Sequence, residues 1–288
     1  MNTPFYFDEQ NKRENVELLK ASNVAYNNAK SNEFKFSYVF LALGILYPLA
    51  YITLQNENAK HGLFAVSLCL TVLYQLFVNW FKGNTAMGAL LKEEFDLNVF
   101  GLPRKFILDE LEPVDVSRLA EKYNGNEIKD WYSSNISSTI SKNTSIAICQ
   151  RVNCKWDADL RTEFNKLLNT LVIVHFILMI VLGLLVIQDF RTTFLLIFSL
   201  ASFYTHFITI IRGNSSAITK RRKIITKLDS YINHKKEFTL ENLRDIQDEI
   251  LNVRQEPAKV PDFYFKKFNP KYQQDHEKYI ERVNNIYA

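Results

Sequence analysis

The sequence has few glycines and lacks the motifs that most enzymes carry. Its eight glycines form no phosphate-binding loop, and it contains neither a nucleophile elbow nor an HExxH helix. The adjacent carboxylates of Glu93 and Glu94 would point to different sides of a helix, which is a poor geometry for a joint acid–base pair. We therefore predict that the chain is not an enzyme.

Cysteine is also scarce, with three residues in 288: Cys69, Cys149 and Cys154. This small odd number argues against a disulfide framework and favours a reducing compartment. Cys149 and Cys154 could supply half of a zinc site, but no second pair exists and the five histidines are scattered, so we predict no metal and no other cofactor. The net charge of +4 is too mild to indicate a nucleic-acid polymer as partner.

Charged residues are absent from four apolar runs, which cover residues 36–54, 62–81, 167–187 and 193–211. Each run is close to the roughly 20 residues that a helix needs to cross about 30 Å of hydrocarbon. Short loops join the first run to the second and the third to the fourth. We predict an all-α membrane protein with four transmembrane helices in two hairpins.

Lysine and arginine are concentrated outside the two hairpin tips. Because segments rich in lysine and arginine stay on the cytoplasmic side, we predict that both termini and the middle segment are cytoplasmic. The middle and C-terminal segments are predicted to build a mainly helical cytoplasmic domain. The predicted organisation is an N-terminal helix (1–35), a first hairpin (36–81), a middle segment (82–166), a second hairpin (167–211) and a C-terminal helical segment (212–288).

Secondary structure outside the apolar runs follows from periodicity and from helix-ending residues. Residues 127–132 are interpreted as a short helix, and residues 145–166 as a helix that continues into the third run. The last helix is predicted to begin at Asn269. The basic run at positions 220–223 lies just after the fourth apolar run, so we interpret it as an anchor for anionic lipid.

Polar side chains follow one face of two apolar runs. They are Ser67, Thr71, Gln75 and Asn79 in the second run, and Ser199, Ser202, His206 and Thr209 in the fourth. Such groups either hydrogen-bond neighbouring helices or line a wet path in an oligomer, and both readings are open. Four spans alone enclose little lumen, so we expect a homo-oligomer.

Several motifs together resemble a known family over nearly the whole chain. They are Gln10-Asn11, Glu93-Glu94-Phe95-Asp96 with Gly101-Leu102-Pro103, Asp130-Trp131-Tyr132, Gln150-Arg151 with Asn153, Trp156-Asp157 and Leu160-Arg161, and Ile246-Gln247-Asp248 with Val260-Pro261-Asp262. The pattern resembles the SMODS-associating four-transmembrane effectors (S-4TM), which occur with bacterial cyclic-nucleotide synthases in CBASS antiphage operons. The chain departs from that pattern at Arg104, where tryptophan is usual.

The resemblance implies an effector of the bacterial inner membrane that is quiet until a cyclic di- or oligonucleotide from a neighbouring synthase reaches its cytoplasmic side. It would then disrupt the membrane or form a pore, which causes abortive infection. Two alternatives are a constitutive four-span channel or transporter and a membrane scaffold protein. The transporter is disfavoured because no charged residue lies inside an apolar run.

Six side chains have the chemistry to bind such a nucleotide. Two arginines can pair with phosphates, three aromatic rings can stack on bases, and one amide can pair with a base edge. These residues are Arg151, Arg161, Trp131, Tyr132, Trp156 and Asn153. A structural reading is also open, because Asp157 lies four residues before Arg161 and can form an ion pair with it along a helix.

Overall fold

A computed structural model describes residues 4–77, 82–104, 112–256 and 260–288. Regular structure in these ranges is helical throughout, which confirms the predicted all-α class. The helices are α1 (Phe7–Gln10), α2 (Arg13–Thr53), α3 (Glu57–Phe77), α4 (Lys82–Phe100), α5 (Pro113–Ala120), α6 (Lys142–Leu182), α7 (Phe190–Ser199), α8 (Ala201–Asn233), α9 (Leu240–Arg254) and α10 (Asp262–Tyr287), with a π-helical turn at Gly183–Ile187 after α6.

Two of these helices are long and apolar enough to cross a membrane: α2, and α6 together with its π-helical turn. A third crossing is possible if α7 and α8, which are bent by 50° at their junction, count as one span. Helix α3 covers most of the second apolar run, but residues 78–81 at the end of that run lie outside the described residues. The structure therefore supports two to three spans.

The fourth apolar run does not form the single continuous helix that its composition predicts. Helix α7 ends at Ser199 and α8 begins at Ala201. The backbone carbonyl of Ser199, at the break, accepts a hydrogen bond from the hydroxyl of Ser67 on α3. A neighbouring side chain thus satisfies a backbone group that the break leaves without its helical partner, as an apolar surrounding requires.

Large apolar side chains cover the outer surface of these helices. Examples are Leu46, Leu49, Val72, Leu76, Ile177, Leu185 and Phe194, which are all exposed. An apolar surface of this extent is unfavourable in water and marks a face that contacts another apolar phase. Its position on the predicted spans agrees with contact to lipid.

His175 satisfies a backbone carbonyl that Pro48 leaves without a donor. Proline has no N–H, so the carbonyl oxygen of Gly44, four residues earlier in α2, lacks its helical hydrogen bond. The Nε2 atom of His175 lies 3.0 Å from that oxygen, and its Nδ1 atom lies 3.0 Å from the hydroxyl of Tyr204. Because a carbonyl only accepts, Nε2 carries the proton and Nδ1 accepts from the tyrosine. This polar link joins α2, α6 and α8.

Gly44 also lets α2 approach α8 closely. A β-carbon at this position would lie 2.6 Å from the buried ring of Phe203, whereas one at Gly62 would meet no atom within 4 Å. We expect Gly44→Ala to lower the free energy of unfolding by about 1 kcal/mol, since overpacking forces neighbours to shift. Gly62→Ala is the control, and it should leave stability unchanged or slightly higher. Thermal unfolding in detergent micelles measures both, and equal melting temperatures would contradict this packing.

The polar segments pack around one hydrophobic core. Buried side chains from α2, α4, α6, α8, α9 and α10 meet there, among them Leu19, Leu91, Phe95, Ile146, Leu228, Leu243 and Ile280. Helices α2, α6 and α8 run from this core into apolar segments, which for α6 confirms the predicted helix over residues 145–166. Both parts of the molecule therefore share the same continuous helices.

Two smaller predictions about the polar segments are wrong. Residues 127–132 are not helical, and Asp130 has the left-handed φ value of 50°. The last helix begins at Asp262 rather than at Asn269, and it continues through Pro270. Tertiary contacts outweigh local signals in both places: side chains of the N-terminal segment hold the first stretch, and α6 packs against the second.

Candidate functional site: a cavity between the polar helix segments

A cavity of about 620 Å³ lies within the polar part of the molecule. Its walls come from α2, α4, α6, α8, α9, α10 and the loop that precedes α6. Five of the six predicted ligand residues line it, namely Trp131, Tyr132, Asn153, Trp156 and Arg161. The fold thus gathers aromatic, amide and cationic groups from distant parts of the chain around one volume.

Arg151 is the predicted ligand residue that does not line the cavity. Its guanidinium group donates to both carboxylate oxygens of Asp229 on α8, at 3.0 and 3.3 Å. The same group lies 3.6 Å from the centre of the Tyr279 ring. Arg151 therefore ties α6 to α8 and α10, and its role in ligand binding stays a prediction.

Five further cations line the cavity and were not among the candidates: Lys30, Lys92, Lys129, Arg221 and Arg254. Arg221 belongs to the basic run at positions 220–223 that was interpreted as a lipid anchor. Its neighbours Lys220 and Arg222 are exposed, while Arg221 is buried. The register of α8 against α6 makes this distinction, and charge spacing alone does not mark it.

The carboxylate of Asp157 lies between two arginines. It accepts from Arg161 Nε at 2.8 Å, which confirms the ion pair predicted from their spacing, and it lies 2.5 Å from Nε of Arg221 on α8. Arg161 also donates to the side-chain oxygen of Asn214 at 2.8 Å. The two guanidinium groups share this carboxylate, so the trio contributes a net charge of +1 at the cavity wall.

A second polar cluster is centred on Asp96, which is almost completely buried. Its carboxylate accepts from the Tyr132 hydroxyl at 2.6 Å, from Gln247 at 3.1 Å and from Lys92 at 3.2 Å. It also forms an ion pair with Arg254 at 2.7 Å. Burial alone would raise the pKa of Asp96, but Arg254, Lys92 and the Tyr132 hydrogen bond outweigh it and hold that pKa below its ordinary value. The charged carboxylate thus joins α4, α9 and the loop before α6.

Glu93, one turn before Asp96 on α4, extends this cluster. Its carboxylate accepts from Arg244 at 2.6 Å and from Gln247 at 2.7 Å. Burial raises its pKa, and the nearby Arg254 and Arg244 oppose that shift. Gln150 on α6 donates to Gln247 at 3.0 Å. Most motif residues named above therefore hold helices together in the core.

Lys92 is enclosed by aromatic rings at the edge of the cavity. Its ammonium nitrogen lies 4.0 Å from the ring centre of Phe95, 4.2 Å from that of Trp131 and 5.4 Å from that of Tyr132. Burial lowers the pKa of Lys92 to about 7, although Asp96 favours the charged form. Its charge is therefore near balance at neutral pH.

The α10 side of the cavity is aromatic. Trp156 stacks on Phe265 at a ring-centre distance of 5.7 Å and an interplanar angle of 8°. His276 meets Trp156 edge-on at 5.4 Å, and burial lowers its pKa to about 4, which keeps the imidazole neutral at pH 7. This wall therefore offers uncharged rings, together with the carboxylates of Asp262 and Glu277.

The N-terminal segment holds the loop that carries Trp131. Gln10 donates to the Tyr132 carbonyl at 3.2 Å and accepts from its N–H at 2.7 Å. Asn11 makes the equivalent pair with Asp130, at 2.9 Å to the carboxylate and 3.1 Å from the N–H. These paired hydrogen bonds explain why a non-helical loop is held against the cavity.

The polar side chains of the apolar runs contact neighbouring helices and their own backbones. The Ser67 hydroxyl lies 3.3 Å from that of Ser202, and His206 Nε2 lies 2.8 Å from the Ser37 hydroxyl on α2. The hydroxyl groups of Ser199, Thr71 and Thr209 donate to carbonyls one turn earlier in their own helices. The Gln75 side chain and Asn79 lie outside the described residues. These contacts match the helix-to-helix interpretation, and a wet path in an oligomer stays a prediction.

The described ranges contain no candidate metal site. No group of three or more histidine, cysteine, aspartate or glutamate side chains is placed there to hold an ion. Cys149 and Cys154 are buried free thiols, and burial raises the pKa of each. The cavity lining combines cations, carboxylates, amides and aromatic rings.

Comparison with known proteins gave a family match and one relative. The family described as SMODS-associating 4TM effector domain matches residues 7–283. A Bacillus cereus (strain VD146) protein described as a probable CBASS effector molecule is 30% identical over 192 residues, which are 62% of this chain and 63% of that relative, so less than two thirds of the relative is matched. No solved structure matches significantly. Because the family match extends over nearly the whole chain, the protein belongs to the SMODS-associating 4TM effector family.

Proposed function

We propose that this protein is a CBASS effector of the bacterial inner membrane that a cyclic nucleotide activates from the cytoplasmic side. The cavity of about 620 Å³ is the observation that carries the proposal. Its volume falls within the roughly 300–1,000 Å³ of small-molecule sites. Family membership supports an effector role, and the Bacillus cereus relative supports the link to CBASS.

The lining has the chemistry that a cyclic di- or oligonucleotide requires. Arg161 and Arg221 offer charge-assisted hydrogen bonds to phosphate oxygens. Trp131 and Trp156 offer rings for base stacking, a contact that contributes about 1–3 kcal/mol per base. Asn153 offers an amide for a base edge. A ligand with alternating phosphates and planar bases fits this mixture better than a lipid or a peptide.

The helices that line the cavity also provide a route to the membrane. Helices α2, α6 and α8 each contribute side chains to the cavity wall, and each continues into an apolar segment. A ligand shifts a conformational equilibrium when it binds one arrangement more tightly than another. We infer that the nucleotide favours an arrangement in which these segments separate and permeabilise the bilayer.

The membrane part of the proposal comprises four spans with both termini in the cytoplasm. Helices α2 and α3 form the first hairpin, and α6, α7 and α8 form the second. The exposed apolar side chains on all four runs support this arrangement. A homo-oligomer would bring enough helices together to enclose a pore, and membrane damage would end the infection before phage release.

Dye release from liposomes that contain the full-length protein tests this function. We expect release with one member of a panel of cyclic di- and trinucleotides and none without nucleotide. Arg221→Gln should raise the nucleotide concentration for half-maximal release by about tenfold or more, because a charged phosphate donor is lost. Arg222→Gln is the matched control, since Arg222 is exposed in the same basic run.

The other outcomes separate the competing functions. Release without nucleotide would favour a constitutive channel. No release with any nucleotide, despite correct insertion, would favour a scaffold. If Arg221→Gln and Arg222→Gln change the nucleotide concentration for half-maximal release equally, with both variants folded, the cavity does not take part in activation.

A further inference from the structure

We infer that Arg161 and Arg221 form the phosphate subsite of the cavity, and that Asp157 occupies this subsite until a ligand phosphate replaces it. The inference rests on the proposed function and deepens it. It names the part of the cavity that takes a phosphate and the contact that the ligand breaks.

The arginines are held in place by partners other than Asp157. Arg161 donates to Asn214 at 2.8 Å, and Arg221 donates to the carbonyl oxygens of Ala217 and Val253, each at 3.3 Å. A phosphate that replaced Asp157 would therefore find two guanidinium groups already positioned. Such preorganised forks suit the bidentate binding of phosphate.

Asp157 is the accessible member of the trio. The side chains of Arg161 and Arg221 are 7% and 6% exposed, whereas that of Asp157 is 36% exposed, and all three line the cavity. A carboxylate and a phosphate that contact the same two cations repel each other, because like charges disfavour each other at short range. The exposed carboxylate can turn towards water, while the buried cations stay in place.

The exchange would act on the joint between α6 and α8. Asp157 lies on α6 and Arg221 on α8, so their contact crosses between the two helices. A ligand phosphate on Arg221 would remove this tie at the cavity wall. Helices α6 and α8 contain most of the third and fourth apolar runs. Loss of the contact therefore changes how the ends of these runs nearest the cavity are held. Ligand binding is thereby coupled to the second hairpin.

The pair Arg151–Asp229 supplies a matched control. It also joins α6 to α8, at 3.0 Å, but neither residue lines the cavity. Asp157→Asn and Asp229→Asn each remove one carboxylate from the same helix pair. A merely structural role predicts similar effects of the two changes, whereas a shared subsite predicts different effects on anion binding.

Calorimetry on the full-length protein in detergent micelles tests the subsite with inorganic pyrophosphate and with cyclic di-AMP, cyclic di-GMP and cyclic GMP–AMP as probes. We expect Asp157→Asn to bind pyrophosphate about tenfold more tightly than the unmodified protein, because a competing negative charge is removed. Asp229→Asn should bind it with unchanged affinity. Arg221→Lys should weaken binding about tenfold, because a lysine lacks the two-pronged donor.

The outcomes distinguish this inference from the proposed function. No gain in Asp157→Asn, or an equal gain in Asp229→Asn, overturns the subsite. If Asp157→Asn fails to fold, unchanged pyrophosphate affinity in Arg221→Lys overturns it instead. A gain for pyrophosphate without binding of any cyclic nucleotide keeps the subsite and rejects the proposed ligand.

Discussion

Replacing Asp96 with alanine is expected to lower the free energy of unfolding by about 3–5 kcal/mol, the usual cost of removing one partner from a buried ion pair. The change would leave the charges of Lys92 and Arg254 in the core without this carboxylate, and the Tyr132 hydroxyl would lose its 2.6 Å acceptor. Three segments that meet at Asp96 would then pack less firmly. Because Tyr132 and Lys92 line the cavity, ligand binding should weaken as well.

Thermal or denaturant unfolding in detergent micelles measures this loss. Asp115→Ala is the control, because Asp115 pairs with Arg118 at 2.8 Å on the surface of α5, where both side chains are at least 60% exposed. An exposed pair of this kind contributes about 0.5 kcal/mol or less. A loss below about 1 kcal/mol for Asp96→Ala would show that the cluster is not the main link between α4 and α9.

Lys92 should make stability rise with pH above neutrality. Its pKa is lowered to about 7 by burial, against an ordinary value of about 10.4. Between these values the unfolded chain binds more protons at Lys92 than the folded protein does, so raising the pH favours the folded state. The contribution is about 2 kcal/mol between pH 7 and pH 9.

Other groups titrate in the same range, so a variant must isolate this contribution. Cys149 and Cys154 have pKa values raised by burial, and their deprotonation in the unfolded chain opposes the trend near pH 9. The measured quantity is therefore the unfolding free energy of the unmodified protein minus that of Lys92→Met. We expect this difference to rise by about 2 kcal/mol from pH 7 to pH 9. A flat difference would mean that Lys92 keeps an ordinary pKa.

Composition and periodicity were sufficient to predict the all-α fold class of this protein. Runs without charge predicted apolar helices, and the spacing of Asp157 and Arg161 predicted their ion pair, because both signals act within a few turns of one helix. The motifs between Gln10 and Asp262 were sufficient to predict the family. The same local rules failed where distant segments decide the backbone, as at residues 127–132, which Gln10 and Asn11 hold in a loop.

The order of residues in the sequence by itself determined the all-helical class, the apolar segments and the resemblance to the effector family. Hydropathy and helix spacing depend only on neighbours in sequence. The tertiary structure alone decided which polar residues meet. It turned Arg221 into the cavity while Arg222 faces outward, and it paired Arg151 with Asp229 away from the cavity. Such pairings join residues dozens of positions apart, and they depend on the register in which α6 packs against α8. The spacing of charges within one helix does not specify how that helix is aligned against another.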